Sequence, residues 1–133
     1  MIVVDANIIF SALLNADSTF LSTISDNKYK FVSPYFLFVE LFKHKEKILK
    51  YTKISEADLL ITLDALLSNI RFVPLNMLTL QSRQNAYDLC KDIDINDAPF
   101  VALAIEYNGL IWTGDRKLIN GLTAKGFNKF FHP

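Results

Sequence analysis

Four acidic residues stand at positions where carboxylates could carry out chemistry. Asp5 directly follows an apolar run, and Asp115 comes shortly after another. Asp97 precedes a stretch with helical spacing, and Glu40 lies within an otherwise apolar segment. Carboxylates that approach one another raise each other's pKa, so they need a cation to remain ionised together. If the fold brings these four side chains together, they predict a cation site.

The composition of this site favours Mg²⁺ or Mn²⁺. Cys90 is the single cysteine, and His44 and His132 are the two histidines, so the sequence holds no zinc-type cluster of sulfur and imidazole ligands. Hard oxygen ligands favour Mg²⁺ or Mn²⁺ over zinc. Such an ion polarises a phosphodiester and lowers the pKa of a bound water, so the site suits phosphoryl chemistry.

Each acid also has a structural interpretation. Asp97 and Asp115 are placed to cap the helices that follow them, which stabilises a helix by about 0.5–2 kcal/mol. Glu40 could point into solvent beside Lys43. Asp5 is harder to explain in this way, because it leaves a buried run with no Lys or Arg next to it in sequence. The four acids taken together favour a functional cluster.

The elements that must position these acids follow from hydrophobic patterning. Five short apolar runs predict strands: Ile2–Val4, Phe31–Val32, Ile70–Val73, Leu110–Trp112 and Lys129–Phe131. Seven stretches predict helices: Asn7–Leu14, Thr19–Ser25, Pro34–Tyr51, Glu56–Ser68, Leu78–Lys91, Ala98–Tyr107 and Arg116–Ala124. This alternation predicts an α/β fold, a three-layer α/β/α sandwich with a mainly parallel five-stranded sheet. Ligands of such sheets bind beyond the carboxyl ends of the strands, where the strand order reverses.

Local signals refine this scheme. Ser33 before Pro34 predicts an N-cap followed by proline in the first helical turn. The dipeptide Asn108-Gly109 predicts the end of a helix. The aromatic residues around the second strand are expected to pack in the core rather than to stack on bases: Tyr29, Tyr35, Phe36, Phe38 and Phe42.

Length and composition limit the class of protein. The chain has 133 residues and is 51% hydrophobic, which predicts one domain over residues 1–133. Fourteen basic and fourteen acidic residues give a net charge of zero, so contact with nucleic acid must be local. No run approaches the ~18 apolar residues of a membrane helix. The start lacks the basic and apolar regions of a secretory signal, and the cysteine content suits a reducing compartment, so we expect a cytoplasmic protein.

Four segments together resemble the PIN-domain family of nucleases: Val3–Ile9, Glu40, Asn96–Ala104 and Trp112–Leu118. The agreement in order and spacing extends over nearly the full length. The resemblance implies a Mg²⁺- or Mn²⁺-dependent endoribonuclease that hydrolyses single-stranded RNA, similar to the VapC-like toxins of VapBC toxin–antitoxin pairs. It also implies an antitoxin protein as a partner and a homodimer.

The resemblance assigns roles to the acids as well. Asp5, Glu40, Asp97 and Asp115 would form the catalytic and metal-binding quartet. Within it, Asp5, Asp97 and Asp115 would be direct or water-mediated metal ligands, and Glu40 would hold or orient the attacking water.

Four further residues are candidates for supporting this quartet. Asn7 and Thr113 match polar positions that support the acids in the family. Asp94, one turn before Asp97, is a candidate additional ligand, although an exposed loop acid is the simpler interpretation. Arg116, next to the last acid of the quartet, is the preferred contact for the scissile phosphate.

Two other functions remain open from the sequence. A phosphatase of the haloacid-dehalogenase type also places an aspartate after the first strand, but it requires a second aspartate two residues later, where this chain has Asn7. The other alternative is a catalytically inactive PIN-like module that binds RNA or protein. The presence of all four acids argues against the inactive module.

Overall fold

A computed structural model describes residues 1–14 and 19–133. Four strands form one parallel sheet: β1 (Ile2–Val4), β2 (Phe31–Pro34), β3 (Ile70–Val73) and β4 (Leu110–Trp112). The described residues form seven α-helices: α1 (Ala6–Leu14), α2 (Thr19–Ile24), α3 (Phe36–Thr52), α4 (Glu56–Leu67), α5 (Leu80–Cys90), α6 (Ala98–Tyr107) and α7 (Arg116–Ala124). Among them, none has the length and apolar character needed to cross a membrane.

The strand order is β3-β2-β1-β4, which places β1 between β2 and β4. The chain moves outward from β1 to β3 and then returns to the other side of β1. Right-handed crossovers therefore put α1 to α4 on one face of the sheet and α5 and α6 on the other. The order reverses between β1 and β4, whose ends are aligned by the pairing of Val4 with Trp112. The predicted ligand-binding edge thus lies where Asp5 and Asp115 leave the sheet.

Burial explains the apolar runs that lack alternation. All three residues of β1 are buried, and so are the five consecutive residues 100–104 of α6, which packs on β1, β2 and β4. A strand covered by helices on both faces has no solvent side, so polar alternation is lost. The predicted α/β fold with a parallel sheet flanked by helices is confirmed.

The predicted fifth strand, Lys129–Phe131, is wrong. This segment makes a single parallel bridge, between Phe130 and Ile111, outside the four-stranded sheet. Two backbone hydrogen bonds hold it there, from the amide of Ile111 to the carbonyl of Lys129 and from the amide of Phe131 to the carbonyl of Ile111. Aromatic packing adds to them, since the ring of Phe131 lies 5.4 Å from that of Trp112 and 5.1 Å from that of Tyr29. The two phenylalanines made the segment look like a strand, but their side chains are used for packing.

Ser33 is not an N-cap. Strand β2 continues to Pro34, which pairs with Val73, and α3 begins after Tyr35 with no side-chain cap. The Ser33 hydroxyl donates instead to the carbonyl of Val4 at 3.0 Å, which joins β2 to the end of β1. Pro34 is tolerated because it lies at the end of β2, past the paired residues of β1.

The predicted helix end at Asn108-Gly109 is confirmed. Asn108 adopts a left-handed conformation with φ of 50°, and its amide bonds to the end of α6. A Cβ atom on Gly109 would lie 2.7 Å from the carbonyl oxygen of Met1, so only glycine fits between α6 and β1 without a shift. This close contact lets Leu110 donate to the same oxygen and start β4.

The aromatic residues near β2 are less buried than expected. Phe42 is 81% exposed, and Tyr35 and Phe38 are exposed as well, so the core interpretation is wrong for these three. Tyr29 and Phe36 pack against the core. Phe42 and Phe38 lie four residues apart on α3, beside α4, and form part of an apolar surface rather than part of the core.

Candidate active site

Asp5 is buried at the carboxyl end of β1, and its side chain is fixed by two hydrogen bonds. Its Oδ1 accepts from the amide of Ala6 at 2.7 Å, and its Oδ2 accepts from the hydroxyl of Thr113 at 2.6 Å. Its own amide donates to the carbonyl of Trp112 at 3.0 Å, so the pairing of β1 with β4 extends to the site. Ala6 of α1 and Thr113, which follows β4, therefore hold the Asp5 carboxylate in one orientation.

Thr113 and Asn7 connect the ends of β1 and β4. The Thr113 hydroxyl oxygen accepts from Asn7 Nδ2 at 3.2 Å and from the amide of Asp115 at 3.1 Å. Asn7 Oδ1 accepts from the amide of Gly114 at 3.1 Å. Thr113 therefore bonds directly to both Asp5 and Asp115, whereas Asn7 bonds to Thr113 and Gly114, the two residues that precede Asp115.

Asp115 acts as a helix cap and also faces the site. Its Oδ1 accepts from the amides of Lys117 at 3.0 Å and Leu118 at 3.2 Å, so the capping interpretation is correct for this residue. Oδ1 makes both capping bonds. Because the capping bonds use only one oxygen, the same carboxylate can cap α7 and contribute Oδ2 to the pocket beside it.

Asp97 does not cap α6. It occupies the N-cap position but has a helical backbone and makes no side-chain capping bond. Its Oδ2 is buried and has no hydrogen-bond partner in the part of the chain that the structure describes. A buried carboxylate oxygen without a partner is costly, so Asp97 is kept in this position for a reason other than helix stability.

Glu40 turns inward from α3, so the interpretation that it points into solvent is wrong. Its side chain is 17% exposed, and its Oε2 lies 3.8 Å from Nε2 of His44, one turn later on the helix. The His44 ring packs edge-on against Phe10 of α1 at 5.2 Å. Helix packing between α1 and α3 thus places Glu40 over the ends of the central strands.

One pocket of about 220 Å³ collects these side chains. It is lined by all four acids of the predicted quartet together with Asn7 and Asp94. Asp94 is exposed and also accepts from the amide of Asn96 at 3.0 Å, so it is both a loop acid and a wall of the pocket. Arg116 is exposed, and it is not among the described residues that line this pocket.

Several other residues of this pocket were not among the predicted site residues. Those with polar or aromatic side chains are Phe10, Lys43, His44, Asn96 and Phe100. The available signal was helical spacing, because a residue four positions after Glu40 must lie on the same face of α3.

The pKa values of two acids reflect this crowding. Burial, followed by the negative charges of the other acids beginning with Asp5, raises the pKa of Asp97 to about 7. Burial likewise raises the pKa of Asp5 to about 6, against the opposing effect of its hydrogen bonds from Thr113 and Ala6. Two carboxylates in this pocket therefore resist ionisation. A cation bound there would favour their ionised forms, so the pocket favours cation binding.

The acids of this pocket fit a cation that keeps several of its waters better than one coordinated entirely by protein side chains. Among residues 1–14 and 19–133, no three His, Cys, Asp or Glu side chains are close enough to hold a metal ion together. Mg²⁺ is usually bound through one or two carboxylates and keeps several waters. The five carboxylates of the lining, and the buried Oδ2 of Asp97 that has no hydrogen-bond partner among the described residues, agree with such an ion.

A parallel α/β sheet with carboxylates gathered at the carboxyl ends of its central strands defines a class of protein suited to phosphoryl chemistry with a divalent cation. The sequence model of the PIN domain matches residues 3–130, almost the whole chain. The chain belongs to the PIN-domain family, whose members are generally metal-dependent nucleases. A comparison with curated proteins finds no significant match.

Proposed function

We propose that this chain is a Mg²⁺- or Mn²⁺-dependent endoribonuclease that hydrolyses single-stranded RNA. The observation that carries the proposal is the convergence of Asp5, Glu40, Asp97 and Asp115, from four separate parts of the chain, on one pocket. The Oδ2 of Asp97 supports it as well, because this buried oxygen has no hydrogen-bond partner within the part of the chain that the structure describes and is free to act as a ligand. The choice of RNA as substrate is supported by the resemblance to VapC-like toxins.

The positions of the four carboxylates suggest two different roles, cation binding and orientation of the attacking water. Asp5, Asp97 and Asp115 would hold the cation either directly or through its bound waters, with Asp5 oriented by Thr113 and Asp115 oriented by its capping bonds. When bound there, a divalent cation neutralises the clustered charge, polarises the phosphodiester and favours ionisation of water. Glu40 reaches the pocket from α3, opposite the strand ends, which suits a residue that orients the attacking water.

The proposed reaction is an in-line hydrolysis. The water oxygen bonds to phosphorus as the bond from phosphorus to the 3′-oxygen breaks, which leaves a 5′-phosphate. Glu40 accepts the proton of the attacking water, and the 3′-oxygen takes a proton from solvent. The outcome for the RNA is one fragment with a 3′-hydroxyl and one with a 5′-phosphate.

A cleavage assay with a matched control tests this proposal. Labelled single-stranded RNA incubated with Mn²⁺ should be cut by the wild type, and EDTA or Asp97→Asn should abolish the cut. Asp88→Asn is the control, because Asp88 is an exposed acid of α5 that bonds to Gln84, and asparagine retains an acceptor. Cleavage that persists in EDTA or in Asp97→Asn would contradict the proposal.

The same experiment separates the alternatives. Hydrolysis of p-nitrophenyl phosphate without cleavage of RNA would favour the phosphatase, although Asn7 is engaged with Thr113 and Gly114 and supplies no second acid. Binding of RNA without cleavage under any metal condition would favour the inactive module. Only the nuclease predicts a cut that depends on both the cation and Asp97.

We further propose that this nuclease is the toxin of a VapBC-type pair. The support is the resemblance of its four acidic motifs to VapC-like toxins. Induced expression should arrest growth, Asp97→Asn should not, and the protein encoded in the neighbouring reading frame should relieve the arrest. Undisturbed growth at an expression level that gives active nuclease would contradict the toxin role.

We also propose a homodimer, supported by an apolar surface between α3 and α4. Phe42 is 81% exposed and Leu60 is 60% exposed there, beside a groove of about 470 Å³. Light scattering should give twice the monomer mass for the wild type and the monomer mass for Phe42→Lys. Met77→Lys, a change at an exposed residue that does not line this groove, should leave the mass unchanged. A wild-type monomer at micromolar concentration would contradict the dimer.

A further inference from the structure

A second groove continues from the acidic pocket along the surface between α1 and α3. We call it the α1–α3 groove, and it has a volume of about 640 Å³. Its lining is formed by Phe10, Leu14, His44, Lys47, Ile48 and Tyr51. Phe10 and His44 also line the acidic pocket, so the two spaces share a wall. A chain bound at the carboxylates can therefore extend into this groove.

Size distinguishes the two spaces. The acidic pocket, at about 220 Å³, lies below the ~300–1,000 Å³ of sites that enclose small organic ligands. It suits an ion, its waters and a phosphate group. The α1–α3 groove, at about 640 Å³, lies within that range, so the base and sugar next to a bound phosphate find space there.

The side chains of the groove match an unpaired base. Tyr51 is 63% exposed on the last turn of α3, and Ile48, three residues earlier on the same helix, is buried and also lines the groove. The rings of Phe10 and His44 meet edge-on at 5.2 Å at the end nearest the acids. Aromatic faces over an apolar floor are the surfaces on which bases of single strands stack. A base inside a duplex is already stacked and cannot reach them.

Two lysines supply positive charge beside the acidic pocket and along the α1–α3 groove. Lys43 lines the acidic pocket and Lys47 lines the groove, one helical turn apart on the same side of α3. The five acids of the pocket repel phosphates, whereas lysines beside them attract the backbone of a nucleic acid locally. Because the net charge of the chain is zero, such local attraction is what single-strand binding requires.

We infer that the α1–α3 groove is a base-binding subsite for the nucleotide next to the scissile phosphate, with Tyr51 as its stacking residue and Lys47 as its phosphate contact. This inference rests on the proposed function and deepens it, because it explains a requirement for unpaired RNA. Tyr51 and Lys47 bind and position the substrate and take no part in the chemical step.

Binding measured without cleavage tests the subsite. A fluorescein-labelled single-stranded RNA is titrated with wild-type protein in EDTA, and binding is followed by anisotropy. Loss of the stacking contact with one base should weaken binding to Tyr51→Ala about tenfold, which corresponds to ~1.4 kcal/mol. Tyr51→Phe should bind as the wild type does, and Lys47→Gln should reduce the salt dependence of binding. Tyr87→Ala is the matched control, because Tyr87 is an exposed tyrosine on α5.

An abasic substrate makes the test specific to a base. Removing one base from the RNA should weaken binding at one position along the strand in the wild type. The same substitution should have no further effect in Tyr51→Ala, because the stacking partner is already absent. Equal losses in the two proteins at every position would overturn the subsite.

The outcomes for the subsite and for the nuclease are separate. RNA binding that depends on Tyr51 without any cleavage would leave the subsite standing and refute the nuclease. Cleavage with unchanged binding in Tyr51→Ala would support the nuclease and overturn the subsite. A change in molecular mass in Tyr51→Ala with unchanged RNA binding would also overturn it, because the groove would then bind a second copy of the chain.

Discussion

The hydroxyl of Thr113 donates a 2.6 Å hydrogen bond to Oδ2 of Asp5, although 108 positions separate the two residues in sequence. The same hydroxyl oxygen accepts from the amide of Asp115, at the start of α7. The Thr113 side chain therefore contacts both Asp5 and Asp115, the two acids that follow the neighbouring strands β1 and β4. This contact joins the fold to the candidate site.

Replacing Thr113 with valine should damage both stability and the site. Valine retains the shape but leaves Asp5 Oδ2 and the Asp115 amide without their partner. Hydrogen bonds to charged groups contribute about 1.5–3 kcal/mol, so we expect the free energy of unfolding in urea to fall by about that amount. RNA cleavage should fall as well. Thr123→Val is the control, because the Thr123 hydroxyl donates to the carbonyl of Ile119 within α7, on the exposed side of that helix. Equal losses in the two variants would contradict the special role of Thr113.

The raised pKa values predict how stability without metal depends on pH. Burial above all raises the pKa of Asp5 to about 6 and that of Asp97 to about 7, from an ordinary value of 3.8. The folded state therefore binds these protons more tightly than the unfolded state does. The stability that comes from protonation of Asp5 and Asp97 in the folded state is fully present below pH about 4 and is lost as the pH rises to about 7. Melting temperatures in EDTA should decline across this window.

The variant Asp97→Asn isolates one part of this effect. Asparagine cannot ionise, so the melting temperature of the variant should decline less steeply than that of the wild type between pH 4 and 8. Asp88→Asn should follow the wild type. Parallel curves for Asp97→Asn and the wild type would contradict the raised pKa of Asp97.

Addition of Mn²⁺ should stabilise the wild type at pH 7.5. A ligand present at 100 times its dissociation constant stabilises a folded protein by ~2.7 kcal/mol, which differential scanning fluorimetry detects readily. Asp115→Asn should remove the shift while preserving the helix cap, because asparagine is also a good N-cap. Asp88→Asn should show the full shift. Melting curves that coincide with and without millimolar Mn²⁺ would refute the cation site.

Gly109→Ala should destabilise the fold at a distance from the site. The new Cβ would lie 2.7 Å from the carbonyl oxygen of Met1, which accepts the hydrogen bond that starts β4. Overpacking of this kind costs about 1–3 kcal/mol, to be measured by urea unfolding. At Gly114 the nearest atom to a new Cβ is Asn7 Oδ1 at 3.9 Å, so Gly114→Ala should retain stability. Comparable stability of the two variants would contradict this account.

Local chemistry along the chain determined much of this protein. A fully apolar run such as Ile2–Val4 has no polar side and must become a strand covered on both faces. Asn108-Gly109 must end a helix, because few other residues adopt a left-handed backbone at low cost. The acids that follow β1 and β4 were predictable candidates for the same reason, since parallel strands end at one edge of the sheet.

Tertiary structure alone decided how these acids are partnered. The capping interpretation was equally sound for Asp97 and Asp115, yet only Asp115 caps its helix, and Asp97 leaves one oxygen buried without a partner among the described residues. The apolar character of Phe42 did not indicate that it would be exposed, and that of Phe131 did not indicate that it would pack against Trp112 without a strand. Sequence patterns specify which residues prefer burial or a given backbone conformation. Strand order and helix packing then determine which distant side chains meet, because those contacts depend on the whole chain at once.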